Sequence, residues 1–206
     1  MPPLHRTALL LALGSFPFLA ALDAADETTP AAQTGTPVVK RAADLIQKQG
    51  PPIVAAELAG KVTPENSRIV INLATQRARL MTGDDVYIDT PISSGKRTGP
   101  TLAGPFTIRE KIKEHRSGTY GDFVDKRGQV VRAGVSMKLD AAPAGTHYVD
   151  APMPFFCRLN DAGMGIHGGI LPGYPAAHGS IRVPVDVAKM IFEKVKVGTP
   201  VEIRAE

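Results

Sequence analysis

From Arg68 onward, apolar and polar side chains alternate in short runs separated by Gly, Pro, Asn and Asp. Arg68-Ile69-Val70-Ile71-Asn72-Leu73 predicts a strand, and Gln76-Arg77-Ala78-Arg79-Leu80-Met81 its hairpin partner. After the turn Thr82-Gly83-Asp84-Asp85, the run Val86 to Ile92 predicts a third strand. Further short strands are expected over Gly104 to Ile108, Gln129 to Val131 and Pro200 to Ile203, with a bulky strand-like run at Pro154 to Leu159. One stretch breaks this rhythm: Val187, Met190, Ile191 and Val195 recur at helical spacing, so Val185 to Val195 predicts a helix that stops before Gly198. A chain of many short strands and one such helix points to a mainly β fold, a sandwich or barrel.

The first residues follow another pattern. Met1 to Arg6 is a short basic leader, Thr7 to Leu22 is apolar, and small residues surround Ala24 and Ala25. This predicts a signal peptide over residues 1–25, and so export to the periplasm or cell envelope. The apolar run falls short of the roughly 20 residues a membrane helix needs, and Gly14 and Pro17 interrupt it; no membrane span is expected once the signal is removed. Residues 26–37, rich in Thr, Ala, Pro and Gly, read as a disordered linker. Residues 38–65 read as a helical lead-in, with a short helix from Val38 to Gln49 stopped by Gly50-Pro51-Pro52. The main domain is expected over residues 66–206.

Composition narrows the chemistry only slightly. The formal net charge of +4 suits any anionic polymer, yet there is no long Lys/Arg run and no Trp, so nucleic acid is not expected as a partner. A single cysteine, Cys157, excludes an internal disulfide. The histidines show no pair four residues apart, no zinc spacing can be built, and no phosphate-binding glycine loop precedes a helix. Neither a metal nor another cofactor is implied.

The densest chemistry lies in Met164 to Pro184, which holds His167, His178, Ser180, Arg182 and five glycines within 21 residues. A hydroxyl near an imidazole, facing backbone donors, is a general arrangement for acyl transfer. The run His167-Gly168, followed by His178-Gly179-Ser180-Ile181-Arg182, resembles the signature of the L,D-transpeptidase (YkuD) family. The resemblance extends through Ile69 to Leu80, through Ile92-Ser93-Ser94-Gly95-Lys96 with Thr98 to Phe106, and through Lys196 to Ile203, covering roughly residues 66–204. It implies a mainly β, YkuD-like β-sandwich with a helix after the active-site motif.

It also implies an acyltransferase of cell-wall biogenesis, whose partners are peptidoglycan stem peptides and a cell-wall protein. In that family a cysteine thiolate attacks the stem peptide and expels its terminal D-alanine; here Ser180 stands at the cysteine position. By the same resemblance His167 is the general base and acid, oriented through a backbone carbonyl. His178, Gly179 and Gly168 belong to the oxyanion and substrate side, and Arg182 holds a carboxylate with its planar fork.

Serine changes the chemistry, because a thiol near its reference pKa of about 8.5 is readily pre-ionised and an alcohol is not. Two readings follow: an acyltransferase working through Ser180 with concerted help from His167, or a weak or inactive relative that binds peptidoglycan or a cell-wall partner. A hydrogen bond of about 2.6–3.2 Å between the His167 ring and the Ser180 hydroxyl is the geometric mark of the first. Cys157 is expected to be buried filler rather than a displaced nucleophile, and His115 and His147 are expected in polar loops.

Overall fold

The computed structural model describes residues 49–206. The expected signal peptide, the expected linker and all but the last residue of the helix expected over 38–49 lie outside the described residues. Within the lead-in, residues 49–65 hold a short strand β1 (Ile53–Val54) and a 3-10 turn (Ala56–Leu58), and Val62 is buried.

Two sheets form the domain. The first has six strands in the order β1-β4-β3-β2-β11-β5, where β2 is Ser67–Asn72, β3 Arg77–Thr82, β4 Asp85–Pro91, β5 Gly104–Thr107 and β11 Pro200–Arg204. The second has five strands in the order β10-β9-β8-β6-β7, with β6 Glu110–Val124, β7 Val130–Ser136, β8 His147–Arg158, β9 Gly165–Gly168 and β10 Ile181–Val183. The strict alternation read from the sequence is what buries one face of the first sheet: Ile69 and Ile71 of β2, Ala78 and Leu80 of β3, and Val201 and Ile203 of β11 all enter the core. They meet Cys157, Ile166, Ile181 and Val183 from the second sheet.

Among the described residues one α-helix, α1 (Val185–Lys194), follows β10 and packs against β8 and β9 through Val187, Ala188 and Ile191. No side chain caps its start, but Asp186 in its first turn and Lys194 in its last complement the helix dipole. Lys194 also donates to the carbonyls of Ala59 and Val62, tying the lead-in to the helix end.

The sequence pattern predicts the first sheet and the helix well, and the second sheet poorly. His115 and His147, expected in loops, lie instead in the long strands β6 and β8. Their strands carry Lys, Glu, Arg and Pro without clean alternation, so backbone pairing between β6 and β8 rather than one-sided burial makes them extended. The expected hairpin partner also starts one residue later: Gln76 turns the chain with φ +51° and is buried, its amide donating to Leu73 O and Ser94 Oγ.

Candidate active site

Strands β9 and β10 lie side by side and parallel, with His167 opposite Arg182 and Ile166 opposite Ile181. The loop between them returns residues that are distant from β9 in sequence to its edge. A second segment, Ser93 to Thr101, pins that loop. Ser93 and Arg182 exchange backbone hydrogen bonds, Ala177 N donates to Ser94 O, and Lys96 N donates to Ala177 O. The Ser93 hydroxyl donates to Tyr174 O and accepts from Ala176 N.

The last anchor sits beside Ser180. Thr101 Oγ1 accepts from Gly95 N at 2.8 Å and donates to Gly179 O at 2.9 Å. Gly179 has φ +101°, a conformation that a side chain would strain. A trans peptide points its carbonyl and amide in opposite directions. Fixing Gly179 O on Thr101 therefore turns the Ser180 amide away from Thr101. Among the described residues the amides of His178, Gly179 and Ser180 donate to no acceptor. Such unpaired donors beside a hydroxyl are what an oxyanion requires.

His167 is buried, 5% exposed, and its Nδ1 lies 2.9 Å from Gly168 O. A carbonyl oxygen only accepts, so Nδ1 carries the proton and Nε2 keeps its lone pair. Burial, reinforced by the nearby Arg182 and His115 charges, pushes the His167 pKa down to about 4, against the smaller opposing effect of the Gly168 bond. The ring is neutral at physiological pH and able to accept a proton. Among the described residues no carboxylate bonds the ring. The structure places Gly168 behind the imidazole, buried, where an added Cβ would lie 3.1 Å from Val185 Cα and 3.2 Å from Pro154 Cγ.

Arg182 lays its aliphatic stem over Gly169. Its guanidinium forms no ion pair among the described residues and is half-buried, with burial lowering its pKa. His178 stacks on Tyr120 with ring centroids 3.9 Å apart and planes at 15°; burial, then the Lys96 and Arg182 charges, lowers its pKa. Tyr120 reaches it from a bulge in β6, where Ser117 to Tyr120 fall between the Arg116–Pro152 and Gly121–Asp150 pairs and face only Ala151 of β8.

Ser180 Oγ and the His167 ring make no direct hydrogen bond. The geometric mark expected of a poised serine dyad is therefore absent from the resting arrangement. Cys157 is buried, with its thiol pushed up to about 12 by burial, so it is no rival nucleophile. Thr101, Ser93 and Gly95 belong to the Ile92 to Gly104 passage that carries the resemblance, but no pattern in the sequence assigns them to the site. Nothing in the sequence signalled Tyr120.

The match to the YkuD family model, the L,D-transpeptidase catalytic domain, runs over residues 66–203. This chain belongs to the L,D-transpeptidase family. Among solved structures, an L,D-transpeptidase from Mycobacterium smegmatis has 19% identity and a TM-score of 0.51, over 68% of this chain and 59% of that one. L,D-transpeptidase 1 of Mycobacterium tuberculosis has 20% identity and a TM-score of 0.47, over 66% and 60%. The L,D-transpeptidase from Xylanimonas cellulosilytica has 18% identity and a TM-score of 0.49, over 67% and 60%. The first shows the shared L,D-transpeptidase fold, and the alignments span about three fifths of each solved chain. No curated protein matches. No helix among the described residues is long and apolar enough to cross a membrane.

Proposed function

We propose that this L,D-transpeptidase family member is an exported acyltransferase of peptidoglycan stem peptides, with Ser180 as nucleophile and His167 as base and acid. Residues 1–25 direct export, 26–37 link, 38–65 lead in and 66–206 form the catalytic domain. The observation that carries the reading is the committed imidazole: with Nδ1 held by Gly168 O, Nε2 is the atom free to take a proton.

Ser180 Oγ adds to the carbonyl carbon of the donor stem while its proton passes to His167 Nε2. The oxyanion is met by the open amides of His178, Gly179 and Ser180. Collapse breaks the bond to the terminal D-alanine, whose nitrogen takes the proton from His167, leaving an ester on Ser180. The amine of a second stem then attacks the ester, and its proton returns through His167 to Ser180 Oγ. Arg182 holds the donor's carboxylate throughout.

A second reading is favoured by the missing contact between His167 and Ser180 and by the lack, among the described residues, of a carboxylate bonded to the imidazole. Under it the domain binds stem peptides or a cell-wall protein partner without turnover. Mass spectrometry of muropeptides incubated with the protein separates the two. Crosslinked dimers with release of D-alanine, lost in Ser180→Ala, support the acyltransferase. Retained stem-peptide binding with neither product overturns it in favour of the binding domain.

A further inference from the structure

The outer face of the six-stranded sheet carries arginines that neither the catalytic site nor the core uses. In β2, β3 and β11 the buried residues alternate with Arg68, Val70, Asn72, Arg77, Arg79, Glu202 and Arg204, which therefore face away from the core. Strand register places Arg204, Asn72 and Arg77 in one row across β11, β2 and β3. Glu202, Val70 and Arg79 form the next row. A cavity of about 140 Å³ opens between these rows, lined by Val70, Asn72, Thr75, Arg77, Arg79 and Arg204.

The donors around the cavity are only partly used. Arg77 is held by Asp89 and by Gly50 O, so it forms a fixed wall. Arg79 gives only its Nε to Asp89, leaving both terminal nitrogens without a partner among the described residues. Arg204 gives Nε and Nη2 to Glu202 and keeps Nη1. Asn72 spends its Oδ1 on Thr75 N, which leaves its NH₂ group to donate outward. Three guanidinium groups around the cavity thus face two engaged carboxylates, Asp89 and Glu202, while Arg68, outside the lining, donates to Gly83 O.

We propose that this cavity is a binding site for a phosphoryl group, held by Arg79, Arg204 and Asn72 against the fixed charge of Arg77. The donors reach one cavity from three strands, which fits a tetrahedral oxyanion better than a planar carboxylate that one fork can satisfy. Glu202 is the built-in competitor, since it occupies two of the nitrogens of Arg204. The proposal is independent of whether Ser180 turns over.

The test is a titration of the full chain with inorganic phosphate at constant ionic strength, followed by NMR of arginine Nε–H and Asn72 side-chain signals. Saturable shifts at Arg79, Arg204 and Asn72 are expected. Arg204→Gln and Arg79→Gln should each weaken binding by about tenfold, as expected for losing a charge-assisted contact. Glu202→Gln should tighten it by roughly threefold by releasing Arg204, and Arg127→Gln, in a remote exposed turn, should leave it unchanged. The tightening cannot come from misfolding, so it keeps the test decisive if the arginine variants are destabilised. Non-saturating shifts, or identical binding in wild type, Arg204→Gln and Glu202→Gln, would overturn the site. Parallel titration with dimethyl phosphate tells a diester source from a free or terminal phosphate: equal affinity assigns a diester, and binding of phosphate alone assigns the monoester. Succinate binding as tightly as phosphate would overturn the tetrahedral assignment.

Discussion

The Thr101 hydroxyl donates to the Gly179 carbonyl at 2.9 Å, although the two residues are 78 positions apart in the chain. That bond, with the one from Gly95 N, fixes the peptide that precedes Ser180. Thr101→Val keeps the shape and removes the hydroxyl, leaving two backbone groups unpaired. Chemical denaturation should show a loss of about 1–3 kcal/mol, and Thr101→Ser should recover most of it. Equal stability of Thr101→Val and wild type would show that the bond does not hold the loop.

Gly95 is a sharper test of the same junction. A Cβ there would lie 2.3 Å from Gly99 O and 2.7 Å from Thr101 N, both backbone atoms. At Gly99 the nearest atom to an added Cβ is His178 Cα at 3.5 Å, ordinary contact. Gly95→Ala should therefore lower stability by roughly 2 kcal/mol or more, with Gly99→Ala closer to wild type. A reversed order in thermal unfolding would contradict the packing described.

The buried imidazole predicts an acid-sensitive fold. His167 resists protonation down to about 4 when folded, against an ordinary value of 6.5 when unfolded. Stability from this group is complete above 6.5 and is lost as pH falls from there toward 4, by roughly 3 kcal/mol at the limit. His178 and His115, also lowered mainly by burial, act in the same direction. NMR should find the His167 ring neutral with its proton on Nδ1 at pH 6, and His167→Gln should flatten the acid limb of the stability profile. A folded-state titration near 6.5 would refute the burial argument.

Sulfur at position 180 is expected to react faster than oxygen. In Ser180→Cys the thiolate no longer needs concerted deprotonation, so intact-protein mass spectrometry after carbapenem treatment should show a covalent adduct. The wild type should show little or none. A stable adduct on Ser180 itself would mean that the serine is a stronger nucleophile than its surroundings suggest.

Cys157 offers a simple control on the core. With its thiol pushed up to about 12 and buried among both sheets, it should react with a thiol-specific disulfide reagent only upon unfolding. Rapid labelling of the native protein would place it nearer the surface than described.

Some of this was legible in the sequence for plain physical reasons. Strands β2, β3 and β11 bury one face and expose the other, so Ile69, Ile71, Leu80 and Ile203 wrote their positions in a period of two. The site motif from His167 to Arg182 was legible because it is local. Strands β6 and β8 were not, since their order comes from partners in each other, and Lys113, Glu114 and Arg116 leave no apolar stripe to read. The Tyr120 stack on His178 was hidden for the same reason: a bulge aims it, and a bulge is a property of a pair of strands. Thr101 sat in a recognised passage, but its duty toward Gly179 depends on a fold that brings the two together.

Strand β11 is not at the margin of its sheet. It lies between β2 and β5, parallel to β2, whose residues come more than a hundred positions earlier. The first sheet therefore remains open, with β2 and β5 each exposing an unpaired side, until residues 200–204 arrive. Loop-closure entropy on that scale makes completion a late, slow event. A nascent chain of this protein would stay unlocked until residues 200–204 had emerged, and deleting that strand should abolish the native state rather than trim it.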